Sequence, residues 1–109
     1  MIPMSKLLSL TFLLIITSCS QSIDQKTKSA LIKGHSGTCI PTIQTQYTKM
    51  GVDSQSTEVI TSIKEYCSCL GHKYFDNFTK EDNQWLIKNR SLPPRIASKR
   101  SQYQIQCWE

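Results

Sequence analysis

Thr57-Glu58-Val59-Ile60-Thr61-Ser62-Ile63-Lys64-Glu65-Tyr66-Cys67-Ser68-Cys69-Leu70-Gly71-His72-Lys73-Tyr74 is the stretch that decides the fold. Val59, Ile60, Ile63, Tyr66, Cys67, Leu70 and Tyr74 recur at three- and four-residue spacings, which is the period of one helical face. Asp53-Ser54-Gln55-Ser56 precedes them and supplies side-chain oxygens suited to cap a helix start. The spacing predicts a helix over 56–76, loosened at Gly71, with Phe75 and Phe78 extending its apolar surface. Cys67 and Cys69 stand two residues apart on it. At ~3.6 residues per turn that is about 200° of rotation. Their sulfurs therefore point to nearly opposite sides and cannot bond each other without breaking the helix.

On the N-terminal side, Pro41 suits a first helical turn, Ile43, Tyr47 and Met50 share a face, and Gly51 is a stop. A helix over 41–50 follows. On the C-terminal side, Thr79-Lys80-Glu81-Asp82 has the form of a capping box, with an acid able to reach back to the cap amide. A third helix is predicted to about 90, with Trp85 in the core, and Leu92-Pro93-Pro94 breaks it. Ile96, Tyr103 and Cys107 place a fourth helix over 95–107. No long alternating run argues for a strand. The expected fold is all-α, a small bundle of about four helices over residues 39–109.

The first residues carry a different signal. Lys6 is followed by the apolar run Leu7 to Ile16, then by Thr17, Ser18 and Cys19. The run is too short to span a bilayer, which takes about 20 apolar residues. It fits the apolar region of a secretory signal peptide. Ile16-Thr17-Ser18-Cys19 resembles the lipobox of bacterial lipoproteins. That resemblance implies a signal peptide over 1–18, cleavage before Cys19, diacylglycerol on its sulfur and an acyl chain such as palmitate on its amine. Ser20, rather than Asp, after the cysteine implies sorting to the outer membrane, facing the periplasm. The resemblance covers residues 1–19 only. Residues 20–38 are mostly Ser, Gln, Lys, Thr and Gly and read as a flexible tether, with His35 at its surface. Fully extended, such a tether reaches ~60 Å at ~3.3 Å per residue.

A folded part of this size needs staples. Apart from Cys19 there are four cysteines, Cys39, Cys67, Cys69 and Cys107. Their even number and an oxidising compartment favour two disulfides. Cys67–Cys69 being disfavoured, the expected pairs are Cys39–Cys67 and Cys69–Cys107, with Cys39–Cys69 and Cys67–Cys107 as the crossed alternative. A metal site is not expected, since neither His35 nor His72 completes a ligand pair.

The full chain carries a net charge of +5, and loss of Lys6 with the leader leaves +4. Between Asn83 and Trp108 there are Lys88, Arg90, Arg95, Lys99 and Arg100 and no acid. If gathered in space, these five form a basic contact face for anionic headgroups, envelope polymers or an acidic protein. Export argues against nucleic acid. Catalytic constellations are not apparent. Glu58 and Glu65 share an outer helix face, His72 stands four before Asp76 and can pair with it on the helix surface, and no phosphate-binding glycine loop or zinc-protease motif occurs. A Cys-x-Cys in mid-helix is unlike the Cys-x-x-Cys of disulfide oxidoreductases. No cofactor and no enzymatic activity are expected. The leading expectation is a membrane-tethered, non-catalytic binding protein with an envelope or secreted protein partner, by analogy of architecture an immunity or exclusion type protein. The alternative is a structural accessory of an envelope assembly such as a secretion or conjugation machine. Trp108, beside the last staple, is expected either over that bridge or at a contact surface.

Overall fold

Residues 21–109 are described by the computed structural model. The signal peptide expected over 1–18 and the expected lipidation site Cys19 lie outside these residues. The described residues form five α-helices in order: α1 Gln25–Lys49, α2 Thr57–Phe75, α3 Lys80–Asn89, α4 Pro94–Ala97 and α5 Arg100–Trp108. The only other pairing among the described residues is an isolated antiparallel bridge between Ser22 and Thr79. The fold is therefore all-α, as the periodicity requires. Both staples are present, Cys39–Cys67 and Cys69–Cys107, with Cα separations of 5.8 and 5.6 Å.

α2 is the axis of the domain. Ser56 caps it, its side chain accepting the Val59 N–H. Ile63, Cys67, Leu70, Tyr74 and Phe75 are buried along one stripe. The core consists of Leu70, Tyr74, Phe75, Phe78 and Ile96, with Ile23, Leu31, Ile32, Leu86 and Leu92 packed around it. It sits where the last turns of α2 meet α4 and the entering chain. There the Lys80 N–H donates to the Gln21 carbonyl at 3.0 Å and the Ile23 N–H to the Phe78 carbonyl at 3.3 Å.

Residues 20–38 were expected as a tether, but α1 begins at Gln25 and runs unbroken to Lys49. Asp24 caps it, accepting the Thr27 N–H at 2.7 Å. The reason this helix exists is tertiary. Leu31, Ile32 and Cys39 pack on the core, and Gly71 of α2 leaves room for α1: a Cβ there would meet Ile32 Cγ2 at 3.1 Å. None of the residues of α1 is fully buried, so its inner face is half apolar and half Lys28, His35 and Gln44. That face has no clear apolar stripe to read.

Pro41 stands in mid-helix, not in a first turn. It has no N–H to offer the Gly37 carbonyl, a loss of roughly 3 kcal/mol in a helix interior. Hydroxyl groups of Thr42, Thr45 and Thr48 donate to the carbonyls four residues back, at 2.8, 2.9 and 2.9 Å. The Cys39–Cys67 bridge holds the same stretch in place. α1 ends where predicted. Gly51 has φ +81°, and the Val52 N–H to Tyr47 carbonyl and Gly51 N–H to Thr48 carbonyl bonds complete a Schellman turn.

The single helix expected over 95–107 is two helices, with the chain turning at Ser98 and Lys99. Ile96 is buried in the core, while Cys107 reaches Cys69. Separate segments perform the two tasks. Trp85 was expected in the core and is instead 43% exposed; Leu86, the next residue, is the one that packs inward.

Candidate functional site

The two bridges place α1 on one side of α2 and α5 on the other. Cys67 faces α1 and Cys69 faces α5, the opposite directions that their spacing dictates. Between the three helices lies a groove of about 530 Å³. Its walls include His35 and Gln46 from α1, Tyr66 and Tyr74 from α2, and Arg100 and Gln104 from α5. A second depression of about 410 Å³ shares Tyr66 and Gln104 and extends over Ile105 and Trp108. Tyr66 and Trp108 meet edge to face at 5.6 Å. Trp108 is 68% exposed and Ile105 64%. Trp108 therefore belongs to a surface.

The chemistry of this surface is aromatic and hydrogen-bonding. Burial pushes the Tyr74 phenol above its ordinary range, against the opposing charge of Arg100. Burial also raises Tyr66, with a smaller contribution from Tyr74. Both hydroxyls stay protonated and available as donors or acceptors. Among the described residues Arg100 is the one formally charged side chain in the groove wall.

His35, expected at the surface of a tether, is half-buried against α2. Its ring meets Tyr74 edge-on at 5.4 Å and Phe75 at 6.4 Å. Its Nε2 is buried with no hydrogen-bond partner among the described residues, and burial holds its pKa below the ordinary histidine value.

The five basic residues do not act as one set. Arg95 is taken by Asp82: Nε donates to Oδ1 at 3.1 Å, Nη2 donates to Oδ2, and Nη2 also reaches the Asn77 carbonyl at 3.2 Å. Asp82 also closes the capping box of α3 with Thr79. Arg95 is thus a brace between α4 and the start of α3. Arg100 lines the groove and Lys99 precedes it. Lys88 and Arg90 are exposed at the other end of α3. His72 Nδ1 and Asp76 Oδ1 pair at 3.0 Å on the surface of α2, where Lys28 also approaches Asp76 at 3.8 Å. Among the described residues no three His, Cys, Asp or Glu side chains gather as metal ligands would, and no helix is long and apolar enough to cross a membrane.

Tyr66 and Tyr74 were legible in the sequence only as members of an apolar stripe. His35 carried no signal, because its part of the helix read as a tether, and Gln46 stood on a predicted helix with nothing to mark it as a groove residue. The class these features define is a small all-α domain with two disulfides and an aromatic groove. The chain matches no protein-family model, no curated protein and no solved structure.

Proposed function

We propose that this protein is an envelope lipoprotein, held by lipid on Cys19 at the periplasmic face of the outer membrane, whose helical domain binds a protein partner and catalyses no reaction. The leader pattern supports the address. Two disulfides suit an oxidising compartment. The observation that carries the binding reading is exposed Trp108, edge to face on half-buried Tyr66, with exposed Ile105, beside a groove walled by tyrosines and glutamines. Aromatic residues of this kind, half exposed beside a concave surface, are the side chains that dominate binding energy in protein interfaces. Arg100 selects a partner segment that carries a carboxylate.

The test is a photo-crosslinker at Ile105 of the full chain, in cells that lipidate it. One saturable crosslinked protein is expected. Trp108→Ala should weaken the complex by about 2 kcal/mol, the scale of an interface hot spot. Crosslinking that never saturates, or that survives Trp108→Ala and Arg100→Ala together, would dismiss the groove as the binding surface.

A further inference from the structure

The entering chain is fixed to the domain from Gln21 onward. Gln21 accepts from the Lys80 N–H, Ser22 bridges Thr79, Ile23 donates to Phe78 and its side chain packs on the core. α1 begins immediately afterwards, at Gln25. Cys19 stands only two residues before Gln21. Two residues span at most about 7 Å. The leash that the composition predicts, with its reach of ~60 Å, therefore does not exist.

We infer that the mature domain stands directly on the lipid surface, with the end formed by Gln21–Ile23 and Phe78–Lys80 against the headgroups. This rests on the lipid-anchor reading of Cys19. The Met50–Val52 turn lies at the other end of α1, 25 residues on, about 37 Å away at 1.5 Å per residue. Charge does not create the contact. The first turns of α1 and α3 and the last turn of α2 carry Lys26, Lys28, Lys73 and Lys80 together with Asp24, Asp76 and Glu81, a nearly neutral mixture. The covalent link sets the distance, and the backbone pairing sets which end faces down. A partner must accordingly approach within one domain length of the membrane.

The experiment uses the full chain, lipidated in cells, purified and reconstituted in vesicles of phosphatidylethanolamine with one quarter phosphatidylglycerol. Exposed lysines are labelled with an amine-reactive ester and located by mass spectrometry. Lys26 and Lys80 should label several-fold more slowly on vesicles than on the mature chain from Ser20, exported without lipid behind an ordinary cleavable signal peptide and held in solution, and Lys49 at the same rate in both. The protection should persist in 0.5 M salt. A ten-residue Gly/Ser insertion between Ser20 and Gln21 should remove it. An acylated, floating protein whose Lys26, Lys80 and Lys49 label alike would overturn the docking and leave the anchor standing. Protection that outlasts the insertion, or is lost in salt, would also overturn it. A chain without acyl mass that does not float would overturn the anchor reading and the docking with it.

Discussion

Asp82 shows how one residue can serve two elements. It closes the capping box of α3 and receives Arg95 from α4. Burial raises its pKa, but the Arg95 hydrogen bonds, the Thr79 bonds and the Arg95 charge together outweigh burial and hold it below the ordinary carboxylate range. A group whose folded pKa is depressed stabilises the fold above its unfolded pKa of about 3.9, and that contribution is lost as pH falls through the folded value. Thermal unfolding of the wild type should therefore steepen below pH 4, and Asp82→Asn should flatten that limb. Arg95→Ala leaves the carboxylate of Asp82 buried without its cation. Since Arg95 is half exposed and partly screened, the loss should be about 2 kcal/mol by denaturant titration, below the full figure for a buried pair. Arg90 makes the opposite case. It caps α3 with φ 53°, a conformation that costs a non-glycine residue about 1–2 kcal/mol. Arg90→Gly should raise stability by about 1 kcal/mol in chemical denaturation; no gain would mean that the arginine side chain holds the turn in place.

At the scale of elements, α2 and α3 were readable because each declares itself locally. α2 has an apolar stripe and a serine cap, and α3 has a capping box. α1 was not readable beyond its last turns. Two glycines, a proline and an inner face containing Lys28 and His35 remove both propensity and periodicity, and the helix forms because α2 offers Gly71 and Cys67 as a seat. The groove was hidden for the same reason, since one of its walls is α1. This gives α1 a measurable weakness. A Cβ on Gly34 would meet nothing within 4 Å, so Gly34→Ala should stabilise by roughly 1 kcal/mol through helix propensity alone. Gly71→Val should destabilise, because its Cβ already presses Ile32 and its branches would part the two helices. Thermal melts of the two variants must move in opposite directions if packing, and not composition, makes α1 a helix. His35 adds a pH dependence to the same interface. Its folded pKa is depressed by burial, so the unfolded chain binds the proton more readily, and stability falls as pH drops from about 6.5 through the folded value. His35→Gln should abolish that slope between pH 7 and 5.

For the whole molecule, core and staples are unevenly shared. Among the described residues every fully buried apolar one comes from α2 or later in the chain, so α1 relies on Leu31, Ile32 and the bridge at Cys39. The bridges close loops with sequence separations of 28 and 38, each worth about 3–4 kcal/mol in the chain-entropy model. Together they match the whole stability of a domain this small, about 5–15 kcal/mol at most. Reducing both should unfold the chain at room temperature, seen as loss of helical circular dichroism. Removing one at a time separates the two halves. Without Cys39–Cys67, in a Cys39→Ala, Cys67→Ala chain, the first turns of α1 keep their core contacts. The last three turns, around Pro41, keep only half-buried side chains. Amide exchange should therefore lose protection over residues 40–49 first, while residues 70–78 stay protected. Uniform loss of protection along the chain would instead mean that α1 and the core fold as a single cooperative unit. The bridge would then stabilise the domain as a whole and not the seating of one helix.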